Sequence, residues 1–420
     1  MSNATRILLA LVIGLVLGIV GADFSPDTAR TLADAVADPV GTLWLNGLRM
    51  TIVPLVVALL ITGIAQTAEA ARAGRMSALT LTWIVGLMTL SAVTGAILTP
   101  SLLALFPMPG ESAAALKAAL GTAPAVGAVP GFGEIVKALV PTNPILAASQ
   151  NDILPLMIFT LVLAFAITRL APDPRKLLTG FFAALADALV IVIEWVLKLA
   201  PIGVFALAYV VGARSGAAAF GALLHYVVIV SSVGIVVGAI AYPVAVFAGR
   251  VPFMRFAREV APVQALAIST QSSLACLPLM LKKSQALGVR GSTADLVLPM
   301  AVALLRVTGP AVNIAVALYI AHWFGVAMGP WQWGIAIVVA TLTSMGAVSL
   351  PGQVSFFSSC APICIAIGAP IEPLALLVAV ETLPDIFRTL GNAQMDVALT
   401  TAIDAQSQEK TDEIPQTRPA

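Results

Sequence analysis

Residues 381–396 read ETLPDIFRTLGNAQMD. On a helix turning about 100° per residue, Glu381, Asp385, Arg388, Asn392 and Asp396 fall within an arc of about 80°, with Thr389 at its edge. Three acids, an arginine and an amide on one stripe call for water or for a shared polar ligand. The chain before this stretch is mostly apolar, so bulk water is not the expected neighbour. The stripe reads as the lining of a small-molecule site inside a membrane.

Composition supports that setting. Of 420 residues 59% are hydrophobic and 10% charged, whereas soluble domains carry roughly a quarter charged residues. The chain reads as an all-α polytopic membrane protein whose standing partner is the lipid bilayer. With 22 basic against 21 acidic residues there is no basic field, so no nucleic-acid role is expected. Three cysteines (Cys276, Cys360, Cys364) and two histidines (His225, His322) are too few and too scattered for a disulfide framework or a zinc site. The Cys360–Cys364 pair, one turn apart, reads as small apolar packing. No cofactor and no metal are expected. An enzyme would need a nucleophile and base, and Ser272 and Ser273 have no histidine nearby in sequence.

Outward from the last stretch, the chain divides into spans. Residues 1–22 place Arg6 before an apolar run, which fits a signal peptide or a first spanning helix. The many later spans favour a retained helix. Residues 43–66 and 78–103 are each long enough to cross about 30 Å of hydrocarbon, and Arg72 and Arg75 place the loop between them in the cytoplasm. Residues 106–144 are too rich in Pro and Gly for a lipid-facing helix and read as an external excursion with short helical pieces. Residues 153–170 cross back to a turn marked by Arg169, Arg175 and Lys176. Residues 177–212 read as one long helix whose Glu194 and Lys198 are spaced to pair or to snorkel. Residues 220–247 cross again, and Arg250, Arg255 and Arg258 return the chain to the cytoplasm. Both termini are expected there, in a protein of the inner membrane.

Two later segments do not read as plain spans. Residues 259–288 carry Ser269 to Ser273 and Pro278 at their middle, with arginines on both sides, so this segment is expected to enter and turn back. Residues 293–321 cross outward toward Trp323, Trp331 and Trp333, which suit an interfacial belt. Residues 335–369 re-enter from outside, with a broken tip at 346–352. Irregular backbone at membrane depth survives only when buried in protein or lining a cavity. Two interrupted segments in one half of a chain point to a transporter's binding site. Residues 371–400 form the last span, and 403–420 read as a disordered cytoplasmic tail.

These residues resemble the dicarboxylate/amino acid:cation symporter family, the glutamate transporter homologues. Four stretches occur in the family's order: Val53-Pro54-Leu55, APIGVF at 200–205, STQSSLACLP at 269–278, and Asp385, Arg388-Thr389, Asn392 and Asp396 in the last span. The resemblance covers residues 1 to about 400. It implies eight transmembrane helices with two re-entrant helical hairpins, assembled as a homotrimer. The scaffold would lie mainly in residues 1–215, its third span joining a transport core in 216–402 that slides as an elevator.

The resemblance also implies symport of a small anionic substrate, a dicarboxylate or an acidic amino acid. Asp385 would take the amino group and Arg388 the side-chain carboxylate, with Thr389 and Asn392 completing the contacts. The hairpin tips, Ser272 and Ser273 in the first and Ser349, Pro351 and Gly352 in the second, would hold the ligand's other end as gates. Asn392 and Asp396 would serve the coupling cation. Elementary chemistry agrees, since a guanidinium fork matches a carboxylate and half-helix N-termini favour anions. The alternative for these charges is mutual pairing that settles a bundle interior.

The seventh span departs from the pattern. Where the family carries Asn-Met-Asp-Gly-Thr, this chain has Leu305-Arg306-Val307-Thr308-Gly309-Pro310. A guanidinium stands where oxygen ligands for a hard cation belong. Arg306 is therefore expected to replace the cation and to face Asp396 or Glu381, in an ion end made of Arg306, Thr308, Glu381, Asn392 and Asp396. Coupling would then run to protons through Glu381 or Asp385, to sodium, or be absent. Gln271 stands where many relatives have an arginine, leaving Arg388 as the substrate's guanidinium and Arg306 as a candidate second. An uncoupled channel or exchanger, or a solute sensor of the same build, is the alternative.

Overall fold

A computed structural model describes residues 3–72, 74–108, 140–215, 218–346 and 352–412. Most of the external excursion expected over 106–144 lies outside these residues. All the regular structure among them is helical. Long apolar runs explain this, because in hydrocarbon each backbone N–H and C=O must be satisfied within its own segment.

The principal helices are α1 (Asn3–Phe24), α2 (Asp38–Arg72), α3 (Arg75–Leu105), α4 (Ile153–Thr168), α5 (Pro172–Lys198), α6 (Ala200–Ser215) and α7 (Ala218–Ala239). They are followed by α8 (Phe253–Thr270), α9 (Ser273–Ala286), α10 (Gly291–Leu304), α11 (Thr308–Phe324), α12 (Pro330–Gly346), α13 (Gly352–Ile367), α14 (Glu372–Leu377) and α15 (Thr382–Asp412). Thr5–Phe24, Pro26–Ala71, Arg75–Leu105, Pro172–Lys198, Gly221–Ala248 and Gly291–Phe324 are long and apolar enough to cross a membrane. With the shorter α4 and the pair α14–α15, the eight expected crossings are α1, α2, α3, α4, α5–α6, α7, α10–α11 and α14–α15. The two re-entrant hairpins are α8–α9 and α12–α13.

Each half is built around one helix. In the first, α2 packs on α4, α5 and α6, while α1 lies along α6. Gly18 in α1 and Gly212 in α6 make that approach possible, since a Cβ at either would collide with backbone of the facing helix. Small residues of this kind let helices approach closely where the hydrophobic effect gives no drive. In the second half, α15 packs against α7, α8, α9 and α10. It is buried on every side from Gly391 to Asp404, so its polar groups must find partners inside the protein.

Several expectations change. Residues 177–212 hold two helices, α5 and α6, interrupted at Leu199 just before Pro201. Glu194 and Lys198 are both exposed, and among the described residues no ion pair joins them. Trp323 is buried against Tyr319 and Phe324 rather than placed in a belt, and Trp331 and Trp333 pack half-buried on the core. The last helix runs on to Asp412, past the point where the tail was expected to begin.

Both the seventh and the eighth crossing are broken. Helix α10 stops at Leu304, Leu305 takes extended dihedrals (φ −92°, ψ 104°), and α11 starts at Thr308. Helix α14 ends at Leu377, and a turn over 378–381 precedes α15. A proline sits third in each new helix, Pro310 in α11 and Pro384 in α15. Proline cannot donate back to the preceding turn, but it is tolerated where the first N–H groups are unpaired anyway. Each proline therefore starts a helix instead of continuing one, and irregular backbone results at both breaks.

Candidate functional site

The turn before α15 brings Glu381 to the start of the helix, where Asp385 N donates to Glu381 O at 2.9 Å. Arg388, two turns on, reaches back. Its Nη2 donates to Glu381 Oε1 at 2.6 Å, and its Nη1 lies 3.5 Å from Asp385 Oδ1. The Tyr226 hydroxyl, from α7, donates to Glu381 Oε2 at 3.0 Å. Glu381 and Arg388 are 1% and 7% exposed, and pairing of this quality is what makes two charges tolerable at such depth. The mutual pairing offered as an alternative is thus present. It does not exhaust the arginine, since the buried Arg388 Nε has no hydrogen-bond partner among the described residues.

One turn further on, α15 meets the break in the seventh crossing. Thr308 N donates to Asn392 Oδ1 at 3.0 Å, and Thr308 Oγ1 lies 2.8 Å from Asn392 Oδ1 and 2.9 Å from Arg388 O. The helices come this close because residue 391 is glycine. A Cβ there would collide with Thr308 Cγ2 and lie 3.0 Å from the Gly238 Cα of α7. Thr389 is buried beside this junction.

Arg306 stands in the break itself. Its Nη1 donates to Ser355 Oγ of α13 at 3.0 Å, which ties the seventh crossing to the second hairpin. Asp385, Arg388 and Asp396 lie near enough to act on it electrostatically. Of the two acids Arg306 was expected to face, Glu381 pairs with Arg388 instead. Asp396 is 0% exposed, and neither carboxylate oxygen has a hydrogen-bond partner among the described residues.

The hairpin tips are only partly placed. Gln271 holds a left-handed conformation (φ 50°) at the turn of the first hairpin. Ser272 then caps α9, with Ala275 N donating to its Oγ at 3.3 Å, and Ser273 is the first residue of that helix. Among the described residues no hydrogen bond joins either serine to Arg388. In the second hairpin Ser349 and Pro351 lie outside the described residues, and Gly352 begins α13. Among the described residues no group of His, Cys, Asp and Glu is arranged to hold a metal.

Three participants escape a reading of the sequence. Tyr226 had a usable signal, because a tyrosine inside an apolar span must find a partner for its hydroxyl. Ser355 and Gly391 had none, since their importance depends on which helix faces them.

The sequence matches the Sodium:dicarboxylate symporter family over residues 4–406. The chain belongs to that family. It is accordingly a membrane transporter by descent and not an enzyme. Its relatives include the proton/glutamate-aspartate symporter of Escherichia coli (strain K12), 26% identical over 404 residues, which span 93% of this chain and 91% of the relative. The proton/sodium-glutamate symport protein of Bacillus subtilis (strain 168) is 25% identical over 401 residues, 93% of this chain and 89% of the relative. The C4-dicarboxylate transport protein 2 of Polaromonas naphthalenivorans (strain CJ2) is 25% identical over 395 residues, 92% of this chain and 84% of the relative.

Proposed function

We propose that this family member is a secondary active symporter of the inner membrane, with both termini cytoplasmic, that carries a small dicarboxylic acid with or without an α-amine. Arg388 is the carboxylate anchor. The observation that carries this reading is the state of that side chain: buried, held by Glu381 and Asp385 on its Nη groups, and unpartnered at Nε among the described residues. A buried donor without an acceptor is costly, and a carboxylate entering along the Nε edge removes that cost with a charge-assisted bond. Asp385 would receive an ammonium where the substrate has one, and Thr389 and Asn392 would line the same pocket. Ser272, Ser273, Ser349, Pro351 and Gly352 would close over the ligand as gates, in a homotrimer working by an elevator motion. Its relatives include both a proton/glutamate-aspartate symporter and a C4-dicarboxylate transport protein, which supports the substrate class.

An incoming carboxylate competes with Glu381 for Arg388. Once displaced, Glu381 is a buried acid that has lost its counter-charge, and a proton is the smallest cation able to accompany it. Tyr226 keeps that carboxyl in place during the exchange. Coupling then runs to protons through Glu381, in keeping with the proton named for the Escherichia coli relative.

The test is a thermal-shift screen of L-aspartate, L-glutamate, succinate and malate on purified wild type and Arg388→Ala. The expected result is stabilisation of the wild type that vanishes in the variant. Stabilisation by any of these acids that survives Arg388→Ala removes the assignment.

A further inference from the structure

The family's description names sodium, and the seventh crossing can be tested against that ion. Residues 305–307 are Leu, Arg and Val, which bring no side-chain oxygen to the break. The Thr308 hydroxyl is engaged with Arg388 O and Asn392 Oδ1, and Asn392 Oδ1 also accepts the Thr308 N–H. The Asn313 amide of the same crossing is engaged with Ser344 and Cys360, which leaves the Asp396 carboxylate, on which the Arg306 charge acts. A hard cation takes several oxygen ligands at once. One carboxylate beside a fixed positive charge is not such a set, so the side chains present do not fit sodium.

They do fit a cation already built into the chain. Arg306 springs from irregular backbone at the break, reaches Ser355 on the second hairpin, and stands in the field of Asp385 and Asp396. We propose that Arg306 is a tethered cation, joining the seventh crossing to the second hairpin and giving Asp385 and Asp396 the charge a bound sodium ion would bring, so that binding of acidic solutes needs no sodium. This rests on the transporter reading above. A bound ion joins two elements only while it is present, whereas a guanidinium on the main chain joins them at any salt composition. Arginine suits the task better than lysine, because its planar fork serves a hydroxyl and a carboxylate field together and stays charged when buried.

The experiment compares the purified full chain in sodium chloride and in choline chloride, by thermal unfolding without ligand and by titration with L-aspartate and succinate. Ligand-free wild type is expected to melt at the same temperature in both salts, and its affinities to differ by less than about twofold. Arg306→Met is expected to weaken binding in choline by about tenfold or more, with Arg306→Lys recovering part of the loss. A saturable, sodium-specific stabilisation of ligand-free wild type that disappears in Asp396→Asn would overturn the proposal. So would Arg306→Met binding as tightly as wild type in choline. If neither acid binds in either salt, the transporter reading fails, and the ligand-free comparison still decides the role of Arg306. If Arg306→Met does not fold, wild type and Arg306→Lys in the two salts decide it.

Discussion

The two ends of the polar stripe on α15 solve the same problem in opposite ways. At the first, Glu381, Asp385 and Arg388 pair with one another, Tyr226 takes the remaining oxygen of Glu381, and Arg388 Nε is left without a partner among the described residues. At the second, further along the helix, Asp396 is as deeply buried but among the described residues has no hydrogen bond to either oxygen. The first end is a set of paired charges, and on the proposed reading a ligand competes for its arginine. The second is an open acid that some positive charge must compensate, with Arg306 as the charge nearest in effect. One helix can thus hold a site that is neutralised internally and another that is neutralised from a neighbouring element. On the proposed function, this difference separates substrate chemistry from ion chemistry along the stripe.

Neutralising one acid at each end measures the contrast. Glu381→Gln removes the charge that holds Arg388, and loss of one partner of a buried pair costs about 3–5 kcal/mol; a marked fall in melting temperature is expected, together with loss of any dependence of acid uptake on an inward proton gradient. Asp396→Asn removes a charge that has no hydrogen bond to lose, so its melting temperature is expected to fall much less, or to rise. Equal destabilisation by the two variants, measured side by side, would erase the distinction.

A smaller effect is expected where the ends meet. Gly391→Ala puts a methyl against Thr308 and Gly238, and overpacking of this kind costs about 1–3 kcal/mol. Substrate affinity should fall with stability, because the bonds from Thr308 to Asn392 are what register α11 against the helix carrying Arg388. Unchanged affinity in a destabilised Gly391→Ala protein would mean that the junction is packing alone. The smallest effect belongs to Tyr226→Phe. It deletes one hydrogen bond to Glu381, worth about 1 kcal/mol or somewhat more to a charged group, and should alter the pH profile of uptake with little change in melting temperature.

Much of this was legible in the residues. The stripe at 381–396 gave the chemistry, the serine-rich turn at 269–273 marked the first hairpin, and Arg306 showed that the seventh span departs from its family. The breaks were less visible, although Pro310 and Pro384 signalled them. In an apolar run a proline is compatible with a kink, a turn or the first turn of a new helix, and only the neighbours determine which. The separation of α5 from α6 before Pro201 went unread for the same reason. The burial of Trp323 was beyond a local reading, since a tryptophan near the end of a span suits a belt and a core equally.

Sequence alone determined the medium, the helical class, the hairpins and the polar stripe of the last span, because these follow from local composition and from a period that needs no neighbours. Tertiary structure decided the pairings: Arg388 with Glu381, Tyr226 with Glu381, Thr308 with Asn392, and Arg306 with Ser355. Three of them join residues far apart in the sequence, and a charge buried in a membrane takes its role from whichever partner the packing brings to it.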